Sequence, residues 1–488
     1  MLRWTKRYRD KAVKANLAKG GGAGRAVLSP FRIWASGFEK SVLPGWVACE
    51  KAAHFYFRRR WQVESSLYFW LSVFIFIAVY VMIIIEKVHR TIIVMVGATV
   101  VMALSLISQE HAIKSIDFNT IGLLIGMMII VGITRRSGVF EYLAIQSARL
   151  AGGRPLIILA LLALITAVLS AFLDNVTTVL LIVPVTYTIT DRLGVSPIPF
   201  LFTEIVASNI GGTATLIGDP PNIMIGSATG LGFLDFVANL ALPVLVILAV
   251  TVAVLLVAYR RELEADEEFI KSILALDARE HIKDWAILKK SLAVLGLTIL
   301  GFLLHQQLHL ESATIALLGA AVLMLLTAEE PEDTLLVVEW PTIFFFVGLF
   351  VLVGSLEVNG VIEYLARTTL SLTGGSLLGT GMLVLWMSAL ASAFLDNIPF
   401  VATMIPLLQT VGGLTGLPME SVWWSLSLGA CLGGNGTLIG ASANVIVAGI
   451  AERYGSPIKF RDYLKVGFPL MLLSVAISSV YLYLAFWR

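Results

Sequence analysis

The sequence predicts an all-α polytopic membrane protein built from two inverted repeats. Of its 488 residues, 58% are hydrophobic and only 14% are charged, whereas an ordinary soluble domain carries about 25% charged residues. Apolar stretches long enough to cross a bilayer are frequent, for example 67–85 and 240–259. The string Ser-Ala-Phe-Leu-Asp-Asn occurs at 170–175 and again at 392–397, and further matches keep the same offset of 222 residues. These observations indicate a duplicated membrane protein.

Each repeat is expected to contain five crossings, the fourth of them interrupted. In the first repeat they lie at about 64–86, 91–108, 118–134, 198–228 and 237–258. Their counterparts in the second repeat lie at about 289–305, 312–327, 340–356, 421–450 and 465–487. An odd number of crossings makes the second repeat enter the membrane from the opposite side, so the repeats are inverted.

Between the third and fourth crossings each repeat carries a short amphipathic stretch, at 141–150 and 363–372, and then a re-entrant hairpin. The apolar segments 156–189 and 378–410 are too long for one comfortable crossing, and each is interrupted halfway by Asp-Asn. Non-helical backbone at that depth is tolerated only where protein buries it or where it lines a cavity. We therefore expect the two hairpin tips to approach each other from opposite faces of the membrane.

The distribution of charged residues divides the chain into an arm, two repeats and a linker. Residues 1–62 form a basic arm, with 14 Lys and Arg against three acids between Met1 and Trp61. We interpret it as an arm on an anionic membrane surface, with an organellar transit segment as the alternative. Repeat 1 follows at 63–258, a charged linker at 259–288 and repeat 2 at 289–488.

The loops predict an orientation. Those at 135–154, 260–290 and 453–465 carry 4, 7 and 4 basic residues, whereas the facing loops hold only Lys114 and Arg367. Short loops rich in Lys and Arg are typically cytoplasmic. This assignment places the basic arm on the opposite side, a conflict that the sequence leaves open.

The duplicated aspartates, Asp174 and Asp396, are the first functional candidates. A charged side chain at the bilayer centre costs at least about 2.5–3.5 kcal/mol and usually marks an ion pathway. We expect both to line a water-filled cavity and to bind protons or sodium, with the neighbouring Asn175 and Asn397 as further sodium ligands and Thr177 in the same site. The alternative is that both aspartates are hydrogen-bonded helix caps.

Two glycine-rich helix breaks are the second candidate, because a broken membrane helix exposes carbonyls to a cation and amides to an anion. The assigned residues are Gly211, Gly212, Thr213, Thr215, Asp219 and Asn222 in repeat 1, and Gly433, Gly434, Asn435, Thr437 and Asn444 in repeat 2. Close helix packing through small residues is the alternative.

Two acids occur in one repeat only. Asp219 is either a third carboxylate of the site or a helix cap. Glu204, opposite Leu426 of the second repeat, is a buried proton-relay group, a helix-end residue or the partner of a basic side chain.

This pattern resembles the ion-transporter superfamily that includes arsenite permeases, sodium/proton antiporters of the ArsB/NhaD group and dicarboxylate and citrate carriers. Within it the likeness is strongest to the melanosomal P-protein group. It covers most of 66–488 and is most specific at 394–400 and 430–450. The resemblance implies a homodimer in which the first three crossings of each repeat form a scaffold. The hairpins and broken helices would form a moving transport domain, with elevator-like alternating access.

One departure from the superfamily narrows the substrate. Its dicarboxylate carriers have Ser-Asn-Thr at the hairpin tips, where this chain has Asp-Asn-Val at 174–176 and Asp-Asn-Ile at 396–398. Two added carboxylates would repel a dianion by several kcal/mol at low effective dielectric. Citrate and succinate are therefore disfavoured.

The expected function is secondary active transport coupled to protons or sodium, exporting arsenite, antimonite or a related small inorganic ion. Sodium/proton exchange is the close alternative. Chloride-type or carboxylate transport and an intramembrane aspartyl protease are further alternatives. We expect no cofactor, no enzymatic activity and no nucleic-acid partner. The chain is expected in the lipid bilayer, as a multi-pass protein of a prokaryotic plasma membrane or a eukaryotic organelle.

Overall fold

The computed structural model describes residues 66–85, 87–264, 266–275 and 277–488, and the predictions for the basic arm lie outside these residues. Leu67–Arg488 form one compact unit. The described residues contain helices and turns but no β-strand, and ten of the helices are long and apolar enough to cross a membrane. The all-α polytopic class is confirmed. The division into an arm, two repeats and a linker stays a prediction.

The helices follow the order that the sequence predicts. Repeat 1 contains α1 (Ser66–Ile85), α2 (Arg90–Ala103), α3 (Gln109–Ser115), α4 (Phe118–Arg136), α5 (Val139–Leu150), α6 (Pro155–Phe172), α7 (Asn175–Leu193), α8 (Ile198–Gly212), α9 (Pro220–Thr229) and α10 (Phe233–Tyr259). The linker carries α11 (Glu267–Leu274) and a 3₁₀ turn, Ala278–His281. Repeat 2 contains α12 (Trp285–Leu308), α13 (Ser312–Thr327), α14 (Pro331–Leu335), α15 (Trp340–Val358), α16 (Val361–Thr373), α17 (Leu377–Phe394), α18 (Asn397–Thr415), α19 (Glu420–Gly433), α20 (Ser442–Arg453) and α21 (Phe460–Leu482).

The predicted second crossing is wrong at its end, because α2 stops at Ala103 rather than near residue 108. Ser105 adopts a left-handed backbone with φ of 58°, which an α-helix cannot continue. Ser108 then caps a separate helix, α3, by accepting a hydrogen bond from the His111 amide at 3.3 Å.

Both hairpins turn at the predicted dipeptide. Asp174 separates α6 from α7 and accepts a hydrogen bond from the Thr177 amide at 2.8 Å. Asp396 separates α17 from α18 and accepts one from the Ile398 amide at 3.4 Å. An aspartate at this position satisfies an amide that a helix start leaves unpaired. Both aspartates are therefore helix caps at the turn of a hairpin.

The two repeats interlock through equivalent contacts. Helix α2 packs on α15 and α4 packs on α13, so each of these pairs joins one repeat to the other. The Thr91 hydroxyl donates to the Pro341 carbonyl at 2.8 Å, and at the equivalent place the Ala313 amide donates to Asn119 Oδ1 at 3.0 Å. We call α1, α2, α4, α12, α13 and α15 the scaffold.

A second set of symmetric pairs holds the hairpins and broken helices together. Within each repeat α6 packs on α8 and α17 on α19, and across the repeats α9 packs on α18 and α20 on α7. We call α6–α9 and α17–α20 the hairpin bundle. Because the short helix after each break packs on the hairpin of the other repeat, the bundle forms one unit.

Glycine is required where the broken helices meet the hairpins. A Cβ atom on Gly218 would lie 2.6 Å from the carbonyl oxygens of Gly212 and Ser170, and one on Gly440 would lie 2.9 Å from that of Ser392. Contacts this short with backbone cannot be relieved by a side-chain rotation. The string Thr-Leu-Ile-Gly, which occurs at 215–218 and again at 437–440, therefore ends in glycine for a steric reason.

We predict that Gly211→Ala and Gly449→Ala have opposite effects on stability. A Cβ atom on Gly211 would lie 2.1 Å from the Ala167 carbonyl oxygen, whereas nothing lies within 4 Å of one on Gly449, in α20. The first change should destabilise by about 1–3 kcal/mol through overpacking. The second should stabilise by about 0.5–1 kcal/mol, because alanine favours a helix over glycine. Thermal unfolding in detergent measures both, and equal shifts would contradict the close packing of α6 and α8.

Candidate functional site

A small cavity lies between the two hairpin tips, where the hairpin bundle meets the scaffold. Its volume is about 30 Å³, and its polar lining comes from both repeats and from the scaffold: Arg90, Asp174, Asn175, Asp219, Glu339, Thr342, Asn397 and Ser442. A water molecule needs at least about 10–15 Å³ of such space. The cavity therefore has room for a water molecule or one small ion and none for an organic dicarboxylate.

Asp174 is held by the first turn of its own helix. Besides the Thr177 amide, the Thr177 hydroxyl donates to the second carboxylate oxygen at 2.5 Å. Thr177 thus positions the carboxylate that faces the cavity.

Four buried asparagines connect the two repeats behind the cavity. Asn175 Nδ2 donates to Asn209 Oδ1 at 3.0 Å. Asn209 Nδ2 in turn donates to the side-chain oxygens of Asn435 at 2.9 Å and of Asn444 at 3.0 Å. The sequence predicts three of these residues and misses Asn209, although it lies two positions before the predicted Gly211-Gly212 pair.

The helix breaks are closed by asparagine side chains. Asn222 Nδ2 donates to the carbonyls of Thr213 and Thr215 at 3.1 and 2.9 Å. At the equivalent place Asn444 Nδ2 donates to the carbonyls of Gly434 and Thr437 at 2.7 and 2.9 Å. These carbonyls accept amide hydrogen bonds in this structure, and a role as cation ligands stays a prediction.

The remaining predicted residues of the breaks hold backbone in place. The hydroxyls of Thr215 and Thr437 donate to the carbonyls of Ala171 and Ala393, just before the hairpin tips. Gly212 and Gly433 lie at close approaches, since their Cβ atoms would come within 2.5 and 2.6 Å of neighbouring carbonyl oxygens. These threonines and glycines therefore shape the site by fixing the backbone around it.

Asp219 brings a third carboxylate to the cavity. It is 1% exposed, and its side chain makes no capping bond to α9. Instead, Asn397 Nδ2 donates to its two oxygens at 3.3 and 3.2 Å. The structure therefore pairs the break of repeat 1 with the hairpin tip of repeat 2.

Asp396 differs from Asp174 because it forms an ion pair with Arg90. Ser442 Oγ donates to the same Asp396 oxygen at 2.9 Å, and the Arg90 guanidinium lies 5.0 Å from the centre of the Phe345 ring. The position equivalent to Arg90 in repeat 2 is Ser312. The sequence predicts two equivalent aspartates and misses Arg90, whose only signal is a basic residue at the start of a crossing.

Acids outnumber bases around the tips. Asp174, Asp219 and Glu339 line the cavity, while the cation there, Arg90, is paired with Asp396. An excess of negative charge in a low-dielectric site attracts cations. The described residues contain no group of three or more His, Cys, Asp or Glu side chains arranged to bind one metal ion. A sodium ion here would depend on carboxylate oxygens supplemented by amide and carbonyl oxygens.

We predict that Asn209→Leu lowers both stability and transport. The change removes the two bonds that join Asn209 to repeat 2 and leaves buried amide oxygens without a donor, which costs about 1–3 kcal/mol per unsatisfied group. Asn359→Leu is the control, because Asn359 bonds Ser72 and the Leu106 carbonyl in the scaffold. In Asn209→Leu, the unfolding temperature and the flux per folded protein should both fall. In the control, flux should fall only in proportion to the amount of folded protein lost.

Comparison with known proteins places the chain among transporters. The family model for the citrate transporter (CitMHS) matches residues 80–429. The uncharacterized transporter Rv2684 of Mycobacterium tuberculosis is 45% identical over 423 residues, which cover 86% of this chain and 98% of its own. The human P protein is 36% identical over 517 residues, which cover 89% of this chain and 61% of its own.

A solved structure has the same fold. The crystal structure of the YdaH transporter of Alcanivorax borkumensis, described as having an unusual topology, aligns with a TM-score of 0.56 at 14% identity. The alignment covers 86% of this chain and 99% of that chain. At this identity the likeness supports the fold.

Proposed function

Because the chain belongs to the citrate transporter (CitMHS) family and is a multi-pass membrane transporter, we propose that it exchanges a small inorganic cation, most simply sodium, for protons. One observation carries the proposal. The carboxylates of Asp174, at one hairpin tip, and of Asp219, at one helix break, converge with Asn397 of the other tip on a cavity of about 30 Å³ that fits a single small ion. Asp174 and Asp219 are the coupling groups, and Asp396 is held by Arg90.

Coupling follows from the cost of moving uncompensated charge. A bundle that carries ionised Asp174 and Asp219 through the membrane takes both charges into a low-dielectric region. A proton or a sodium ion on these groups removes most of that penalty. The hairpin bundle therefore moves when a sodium ion or a proton is bound and stays in place when the site is empty. Sodium movement is thereby coupled to proton movement.

The asymmetry between scaffold and hairpin bundle supports elevator-like movement. Asp117 and Glu339 are equivalent scaffold residues. Asp117 accepts a hydrogen bond at 2.9 Å from Ser227, in the eighth position of α9, whereas Glu339 lines the cavity with Ser442, the first residue of α20. Seven helical residues correspond to about 10 Å. We infer that the bundle moves by about this distance in a homodimer, the assembly that the superfamily resemblance implies.

Export of arsenite or antimonite is the second candidate. A larger cavity of about 460 Å³ adjoins the first on the Asp396 side, and its polar lining includes Arg90, Asp396, Ser442 and His89. Hydroxyl and guanidinium groups can hydrogen-bond a small neutral oxyacid. The acidic lining of the small cavity favours the cation, and the larger cavity has room for the metalloid.

Purified protein in liposomes with a pH-sensitive dye inside tests this function. A sodium gradient, an arsenite gradient and a citrate gradient are applied in turn. We expect proton flux with sodium. Flux with arsenite alone would replace sodium by the metalloid, and flux with citrate alone would contradict a cation-binding site.

A further inference from the structure

A buried acid outside the cavity is left unused by this function. Glu204 occupies the middle of α8, is 1% exposed, and accepts a hydrogen bond at 2.5 Å from the Thr186 hydroxyl of α7. Its second oxygen, Oε2, is buried without a hydrogen-bond partner among the described residues. No ion pair to Glu204 occurs within the described part of the chain, so neither a helix end nor a basic partner explains it.

Further polar groups continue from Glu204 along the same helix interface. Toward the tip, Thr178 shares a face of α7 with Thr186, and its fully buried hydroxyl also has no hydrogen-bond partner in the described residues. Toward the other end, buried Tyr187 lies within electrostatic range of Glu204 and of Asp191, which is exposed.

Tyr187 of α7 is a titratable side chain within electrostatic range of Glu204. Tyr187 of α7 stacks on Tyr454, at the end of α20, with ring centroids 4.2 Å apart. No basic side chain of the described residues pairs with Glu204, so its charge is balanced only by taking up a proton.

Repeat 2 shows that the fold does not need these polar groups. At the positions equivalent to Glu204, Thr186 and Thr178 it has Leu426, Leu408 and Phe400. Both leucines are fully buried in the equivalent interface. These polar side chains, which only one repeat carries, therefore serve something other than packing.

We propose that Glu204 is a second proton-binding site, which relays protons between the carboxylates at the hairpin tip and the exposed end of α7 near Asp191. Asn175 and Asn209, hydrogen-bonded at 3.0 Å, mark the inner end of this path. Each relay step breaks one O–H bond and forms another: a proton leaves a tip carboxylic acid, resides on Glu204, and leaves to water at the exposed end. Buried polar atoms of this kind are commonly bridged by water.

The proposal rests on proton coupling as proposed above, and two flux measurements separate the two ideas. Proteoliposomes are assayed for proton flux driven by a sodium gradient and for exchange of radioactive sodium against unlabelled sodium, which needs no proton. In Glu204→Gln we expect proton flux to fall roughly tenfold or more and sodium exchange to stay within about twofold of wild type. Glu204→Asp should recover part of the proton flux.

Two controls address folding. Glu204→Leu recreates the residue that repeat 2 carries at this position, and it should behave as Glu204→Gln does. Glu420→Gln removes an exposed acid from the equivalent helix of repeat 2 and should change neither flux. Equal loss of both fluxes in Glu204→Gln, or retention of both, would overturn the relay.

Absence of both fluxes in wild type would contradict the proposed function. In that event, infrared spectroscopy still tests whether Glu204 binds a proton. A carboxylic C=O band that shifts in D₂O and is missing in Glu204→Gln would support Glu204 as an exchanging proton site. A spectrum identical to that of wild type would overturn it.

Discussion

Asp174→Asn should abolish sodium-driven proton flux, and Arg90→Gln should not restore it. Asparagine caps a helix about as well as aspartate, so the hairpin should keep its fold. What is lost is a carboxylate that lines the small cavity and has no cation partner among the described side chains. The initial rate of flux in proteoliposomes, normalised to folded protein, measures the effect.

Asp396→Asn should also lose flux, but for a different reason that allows rescue. Without its carboxylate, the Arg90 charge stands unpaired beside the cavity and repels the coupling cation. Arg90→Gln in the same chain removes that charge, so Arg90→Gln/Asp396→Asn should regain flux. Thermal unfolding should give a coupling energy of about 0.5–3 kcal/mol between the two positions. Rescue of Asp174→Asn by Arg90→Gln, or failure to rescue Asp396→Asn, would contradict the inequivalence of the two aspartates.

Two cysteine pairs should each lock the transporter, at opposite ends of its movement. Asp117→Cys/Ser227→Cys replaces side chains that are hydrogen-bonded at 2.9 Å and should crosslink as the structure stands. In a second state, each repeat would make the contacts that the other repeat makes in this structure. Glu339 would then lie beside Gly449, the equivalent of Ser227. Glu339→Cys/Gly449→Cys should therefore crosslink only during movement.

Oxidation should stop flux in both variants, and reduction should restore it in Asp117→Cys/Ser227→Cys. Glu339→Cys lacks a cavity acid, so for that pair the yield of crosslinking is the informative quantity. Both native cysteines, Cys49 and the buried Cys431, are replaced by alanine throughout. A rigid bundle would crosslink at the first pair alone, which would contradict movement by about 10 Å.

The hairpins and broken helices could be predicted because their signals are local. Apolar length, a polar dipeptide at the midpoint and glycine pairs each act through neighbouring residues, and the tips turn at Asp174 and Asp396 as expected. The end of α2 could not be predicted, because the left-handed Ser105 interrupts a stretch that stays apolar in sequence.

The inequivalence of the two aspartates was beyond the sequence for a different reason. It depends on Arg90, 306 positions from Asp396 in the chain, and only the packing of scaffold against bundle brings them together. The same holds for Asp219 and Asn397, which belong to different repeats. A duplicated motif predicts equal halves, while the contacts that differ between the halves are long-range.

Proton release on sodium binding tests the central claim most directly, because it needs no transport. Purified protein in weakly buffered detergent receives sodium chloride, with choline chloride as the control for ionic strength. If sodium and protons compete for Asp174 and Asp219, sodium should release protons from wild type and not from Asp174→Asn/Asp219→Asn. The same release from the double variant, or none from a wild-type protein that transports sodium, would contradict a coupling site at the hairpin tips.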